Sequence, residues 1–299
     1  MFYKRKSCSD ENVCIRLKNF CPDLTQSYKD CRNLTKEKKP PLCKGRWLEE
    51  PEGLYGKENN SWYLNANKGE LMYKYILWDI DGTVLDFLAS EAYAVRTLFK
   101  KYGLGECTDE MLRLYSQINV KYWGMLEKNQ ITKPQVLIGR FMEFFTEIGI
   151  DTSVAESFNA DYQVTLGDHI EFVRYAEEAL LYQKGKYVLS AVTNGTKIAQ
   201  EKKLRMSGLD KIFDWIFISE DIGAEKPNGE YFKAVFEKLG VQDKSQVLII
   251  GDSLVADING GYMAGIDTCW YNPLGKPNTL GIPVTYQIDS LEKISEIVK

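Results

Sequence analysis

After Asp168 the chain alternates amphipathic stretches with short apolar runs, and few folds accept that pattern. HIEFVRYAEEALLYQKG reads as a helix leading to the strand KYVLSAVTN, and TKIAQEKKLRMSG as a helix leading to DWIFIS. NGEYFKAVFEKLG then leads to QVLIIGD, and VADINGGYMAG to IDTCWY, before a short QI strand and the helix SLEKISEIVK. Strands separated by helices run parallel, and a parallel sheet needs helices on both faces. YKYILWDI, directly after Met72, is one more β-rich run, ended by Asp-Gly. The expected fold is α/β, a doubly wound parallel sheet. Its ligands should bind beyond the carboxyl ends of the strands.

Between the first strand and this alternating region the period changes. SEAYAVRTLFKKYG, DEMLRLYSQINVKYWGMLEK, KPQVLIGRFMEFFTEIG and SVAESFNADYQVTLG read as four amphipathic helices with no strand among them. The expected division is a core of residues 72–88 and 169–299 with a helical insertion over 89–168. Residues 1–71 show neither period and are rich in Lys, Asn, Glu and Pro. Such a segment buries too little apolar surface to offset its ordering entropy. It reads as a disordered basic arm or, preferred here, as a spurious extension of a protein that begins at Met72.

Charge follows the same division: residues 1–71 carry a net +4 and the remainder a net −8. An acidic body is a poor non-specific binder of nucleic acid, so none is expected as a partner. No apolar run approaches the roughly 20 residues of a membrane span, and MFYKRKSCSD leads into no apolar stretch of a secretory signal. Five of the seven cysteines (Cys8, Cys14, Cys21, Cys31 and Cys43) are widely and irregularly spaced, which supports neither a zinc site nor a redox motif. Cys107 and Cys269 are isolated and read as buried or semi-buried free thiols. The expected compartment is the reducing cytoplasm.

Four strand ends carry chemistry. The first strand ends on Asp79, Ile80, Asp81, Gly82 and Thr83. Two aspartates two residues apart leave an extended backbone on one side. They repel each other and are costly to desolvate, and a divalent cation relieves both problems. Average composition yields the pattern D-x-D-G-T by accident in on the order of one chain in several hundred. The second core strand, KYVLSAVTN, ends on Thr193, Asn194 and Gly195, a hydroxyl and backbone N–H groups opening a helix, which suits an anion. Lys226-Pro227-Asn228 follows the third, with Pro227 expected in the first helical turn. Gly251, Asp252 and Ser253 follow the fourth, with Asp257 about one turn further on. Asp252 is placed to join the first two carboxylates, and Asp257 to support the metal's outer shell or Lys226. Each motif alone has a plain reading as a cap or a solvated loop, but four in order, each directly after a strand, do not.

This series resembles the four motifs of the haloacid dehalogenase (HAD) superfamily, over Met72 to the C-terminus, and the helical block resembles that superfamily's cap on its Rossmann-like core. The resemblance implies a magnesium-dependent phosphomonoester hydrolase working through an aspartyl-phosphate. Asp79 would be the nucleophile and Asp81 the general acid and base. Asp79, the Asp81 carbonyl and Asp252 would hold Mg2+. Thr193, Asn194 and Lys226 would bind the phosphoryl group, and Asp257 would orient the outer shell. An acid at Asp81 argues for a phosphatase over a dehalogenase, because a halide leaving group needs no proton.

The stretches YWGMLEKNQIT, GRFMEFF, TNGTKIAQEKKLRMSGL, ISEDIGAEKPN and GDSLVADINGGYMAGIDTCWYN further resemble the YjjG-type pyrimidine 5′-nucleotidases. The implied substrate is a pyrimidine nucleoside monophosphate. Another small ester, a sugar phosphate or phosphoglycolate, is the alternative. A non-enzymatic role would run through the basic arm. Tyr122, Trp123, Phe141, Phe144 and Phe145 include candidates for a base-stacking wall, although most fit cap core at helical spacing. His169, the only histidine, is expected at a hinge or helix start.

Overall fold

A computed structural model describes residues 72–299. The readings of residues 1–71 and of their five cysteines lie outside the described residues.

β1 (Tyr75–Trp78) is the central strand of the sheet. The chain then forms α1 (Phe87–Tyr102), α2 (Asp109–Glu127), α3 (Lys133–Glu147) and α4 (Ala155–Thr165) before returning. The returning segment alternates: α5 (Ala176–Gln183), β2 (Val188–Thr193), α6 (Lys197–Ser207), β3 (Trp215–Ile218), α7 (Ser219–Ile222), α8 (Gly229–Leu239) and β4 (Val247–Gly251). It closes with α9 (Gly260–Ala264), β5 (Asp267–Tyr271), β6 (Tyr286–Ile288) and α10 (Ile294–Ile297).

The six strands pair in the order β3-β2-β1-β4-β5-β6, every pair parallel. Successive side chains point to opposite faces of a strand. Ile76, Trp78, Leu248 and Ile250 therefore enter one buried cluster, and Tyr75, Leu77, Val247 and Ile249 the other. Both faces are apolar because both are covered, by α5 and α10 on the first and α8 on the second. Strand order reverses direction between β1 and β4, and such a switch point leaves a crevice at the carboxyl ends.

The helical block has its own core. Phe99, Tyr115, Phe141, Phe144, Phe145, Phe158 and Tyr162 pack as stacked, tilted and edge-on ring pairs, with centroids 5.0–6.2 Å apart. Burying each ring contributes about 2–3 kcal/mol toward offsetting the ordering of the helices that carry it. Local signals set the ends. Thr108 caps α2, whose first turn carries Asp109 and Glu110, and a Thr132–Gln135 capping box opens α3.

Three helices differ from the sequence reading. The one expected from His169 starts only at Ala176. Before it the chain runs alongside the exit of β1: the Asp86 N–H donates to the Glu171 carbonyl at 2.8 Å and the Val173 N–H to that of Val84 at 3.0 Å. Pairing with a distant segment outweighs local helix preference there. VADINGGYMAG divides into a π-helix over Leu254–Asn259 and the short α9, and the C-terminal helix into a 3-10 turn and α10. Cys107 and Cys269 are buried free thiols.

Candidate active site

Asp79 is the first residue beyond β1, and its N–H donates to the Ile250 carbonyl of β4 at 2.9 Å. Its carboxylate accepts hydrogen bonds from Lys226 Nζ at 2.8 Å and Thr83 Oγ1 at 3.1 Å. Lys226 Nζ also donates to Asp257 Oδ1 at 2.7 Å and to the Val192 carbonyl at 2.8 Å, so all three ammonium hydrogens are engaged. Asn194 clamps the Lys226 backbone on both sides, donating to its carbonyl and accepting from its N–H, each at 2.8 Å. Thr193 is buried, and its Oγ1 accepts the Gly195 N–H at 3.1 Å. Pro227 stands ahead of α8 rather than in its first turn, because Asn228 supplies the cap by accepting the Glu230 N–H.

Asp79, Asp252 and Asp257 each bring an oxygen within 4.8 Å of the others. Thr83 Oγ1 bridges two of them, at 3.1 Å to Asp79 and 3.3 Å to Asp252. The Ser253 N–H donates to Asp257 Oδ2 at 3.1 Å, and Trp270 Nε1 fixes the Asp252 carbonyl at 3.0 Å. Burial pushes the Asp252 carboxyl up to about 7, with repulsion from Asp257 adding to it. Burial also raises Asp79, against the pull of Lys226. For Lys226, burial disfavours the ammonium, but Asp257 and Asp79 outweigh it and hold the group above its usual range. Glu127, arriving from α2 to accept from Ser253 Oγ at 3.1 Å, is pushed up to about 7 by burial and by Asp257. Lys226 and Lys276 together do not balance these acids, since the Asp252 and Glu127 carboxyls stay raised. Hard oxygen donors with excess negative charge are the set that fits magnesium.

Asp81 departs from the expectation of two parallel side chains. Extended backbone ends at Trp78, and Asp81 forms an isolated bridge with Leu85. Its carboxylate therefore lies outside the three-acid cluster and accepts from Lys203 Nζ at 2.6 Å and Gln200 Nε2 at 2.5 Å. Gly82 makes the turn at φ 91°, and a Cβ there would stand 3.0 Å from Asp252 Oδ2. Only glycine satisfies both demands. Neither Lys203 nor Gln200 was singled out in the sequence. The available signal was their position on the buried face of α6, beside Ala199 and Leu204.

A cavity of about 710 Å³ opens over these groups, within the range of small-molecule sites. Its floor includes Asp79, Asp81, Thr193, Lys226 and Asp252, and its other wall comes from the helical block. Of the five aromatic candidates, Trp123 lines this cavity. Phe141, Phe144 and Phe145 are core of the helical block, and Tyr122 packs against that core. His169 stacks on Tyr93 with centroids 5.1 Å apart and contacts Glu171 at 2.7 Å, in the link between the block and the sheet rather than at a helix start.

Comparison with known proteins accords with this arrangement. HAD-hydrolase YfnB of Bacillus subtilis is 39% identical over 76% of this chain and 95% of its own. Its magnesium-bound crystal structure covers 75% of this chain and 98% of its own with a TM-score of 0.71. Pyrimidine 5′-nucleotidase PynA of Streptococcus pneumoniae is 34% identical over 75% of this chain and 94% of its own. Pyrimidine 5′-nucleotidase YjjG of Escherichia coli is 27% identical over 76% and 99%. The model of the haloacid dehalogenase-like hydrolases matches residues 76–271, and this chain belongs to that family.

Proposed function

We propose that the protein is a magnesium-dependent 5′-nucleotidase that prefers pyrimidine nucleoside monophosphates, with residues 89–168 as the cap over a core of 72–88 and 169–299. The observation that carries the hydrolase chemistry is Asp79 at a strand end, held by Lys226 and Thr83 beside Asp252 and Asp257. Asp79 and Asp252, with the Asp81 carbonyl, would hold the metal. Bound magnesium offsets the repulsion between the carboxylates and an incoming phosphate.

In the first step an Asp79 oxygen attacks phosphorus, and the bond from phosphorus to the ester oxygen breaks. That oxygen leaves as an alcohol with a proton from Asp81. In the second step Asp81 takes a proton from water, which attacks the aspartyl-phosphate, and free phosphate leaves as Asp79 is restored. Lys226 and the N–H groups after Thr193 bear the charge that develops on the phosphoryl oxygens. For its acid role Asp81 must turn from Lys203 and Gln200 toward the leaving oxygen, so an arriving ester has to loosen those contacts.

The pyrimidine preference is supported by PynA and YjjG, each named as a pyrimidine 5′-nucleotidase. A cavity lined by Trp123 and closed by the helical block suits a small planar base. The deciding experiment is steady-state phosphate release with magnesium across UMP, dUMP, dTMP, AMP, ribose 5-phosphate, glucose 6-phosphate and phosphoglycolate. Pyrimidine monophosphates should show the highest kcat/KM. A higher value for a sugar phosphate or phosphoglycolate would overturn the nucleotidase reading and leave the hydrolase chemistry standing.

A further inference from the structure

The helical block carries a chain of buried polar side chains that the proposed chemistry does not use. Glu91 accepts from Asn119 Nδ2 at 2.8 Å and from Ser116 Oγ. Asn119 Oδ1 accepts from Arg140 Nη1 at 2.6 Å, and Arg140 Nη2 donates to Asn159 Oδ1 at 3.3 Å. Gln163 Nε2 donates to the same Asn159 oxygen at 2.9 Å, and Gln163 Oε1 accepts from Thr196 Oγ1 at 2.7 Å. The chain thus starts in α1 and ends three residues after Thr193, at the phosphate-facing loop.

A core built for stability alone would hold apolar side chains here, since a buried charge is costly to desolvate. Three members, Asn119, Arg140 and Gln163, also line the cavity above Asp79. Arg140 is 2% exposed, and its Nε has no hydrogen-bond partner among the described residues. A guanidinium has five N–H donors, and among the described residues two of its nitrogens, Nη1 and Nη2, each find one acceptor. The ring faces of Phe141 and Tyr162, each 5.1 Å from its central carbon, hold the group in place. A preorganised, under-used donor facing a ligand cavity is a reader of acceptor atoms.

We infer that Arg140, oriented by Asn119 and Asn159, is the specificity residue of the cap and donates to a carbonyl oxygen of the leaving group. This rests on the nucleotidase reading. Every common pyrimidine base carries a 2-carbonyl, whereas adenine carries none. Phosphoryl chemistry stays with the core. Arg140 selects which ester is held there.

The test is a cycle of two substrates and two enzymes. UMP is compared with ribosyl-benzene 5′-monophosphate, which keeps the ring and loses its acceptors, on wild type and on Arg140→Met. Wild type should favour UMP by about 10- to 100-fold in kcat/KM, the worth of a hydrogen bond to a charged donor. In R140M that ratio should fall to within about threefold of unity, because neither substrate then meets a donor. An R140M ratio equal to wild type overturns the inference, as does a wild-type ratio near unity when UMP is well turned over. Arg140→Lys keeps the buried charge opposite Glu91 and serves if R140M does not fold. It should also lower the ratio, and an unchanged ratio counts against the inference. Failure of the nucleotidase reading looks different: in wild type both aromatic substrates fall well behind ribose 5-phosphate.

Discussion

Replacing Lys226 with Met tests the electrostatic account of the site most directly. The side chains of Lys226 and Asp257 are each 1% exposed and that of Asp79 is 11% exposed. Removing one partner of a buried ion pair costs about 3–5 kcal/mol, because the stranded charge is still desolvated. For a folded unit of this size that corresponds to a fall of about 6–20 °C in Tm. The pH dependence has a definite sign. Burial already holds Asp79 above its ordinary range, and Lys226 opposes that rise. Without Lys226, Asp79 rises further, so between its unfolded and folded values the folded state binds the extra proton. Stability then falls as pH increases through that window. The deficit of K226M relative to wild type should therefore be largest at pH 8 and shrink toward pH 5. Magnesium should shrink it too. The assay is thermal and urea denaturation of both proteins, chelated, at pH 5 and pH 8. A deficit below about 1 kcal/mol at pH 8, or one that grows on acidification, would refute the reasoning.

Asp79→Asn should lower phosphate release by about 10⁴-fold or more with an unchanged circular dichroism spectrum. Near wild-type turnover, with deamidation excluded by mass spectrometry, would remove Asp79 as the nucleophile. Chelation should abolish activity. Because the Asp252 carboxyl is pushed up to about 7, metal-free wild type should also lose stability as pH rises from 5 to 8. The rise in Tm on adding magnesium should grow over the same range, and an equal rise at both pH values would argue against metal at these acids. Gly195→Ala places a Cβ 2.1 Å from Gln200 Nε2. The Gln200 side chain yields, so the stability cost should stay below about 2 kcal/mol, while kcat rises as one restraint on Asp81 is lifted. Steady-state kinetics with an unchanged kcat would show that contact to be idle. A chain started at Met72 should hydrolyse substrate like the full-length protein, since the matched region begins at residue 76. Loss of most activity in a soluble truncation would give residues 1–71 a part in the site.

The sheet, the helical block and the strand-end motifs were legible in the sequence because each is a local property. Strand runs such as VLII and the spacing of Asp79, Thr193, Lys226 and Asp252 after them need no knowledge of distant residues. The aromatic spacing in α3 likewise marked Phe141, Phe144 and Phe145 as core. Tertiary structure decided what the motif residues touch. Asp81 turned toward Lys203 and Gln200, about 120 positions away, because the strand ended one residue before Asp79. Glu127 reached Ser253 from the far side of the cavity, and residues 170–175 gave up helix to pair with the exit of β1. Arg140 looked like one charge among many on an amphipathic stretch. It became a buried donor only once α1, α2 and α4 supplied Glu91, Asn119 and Asn159 around it. Periodicity reports which face of an element is buried, whereas the partner of a buried charge is fixed by contacts between segments far apart in the chain.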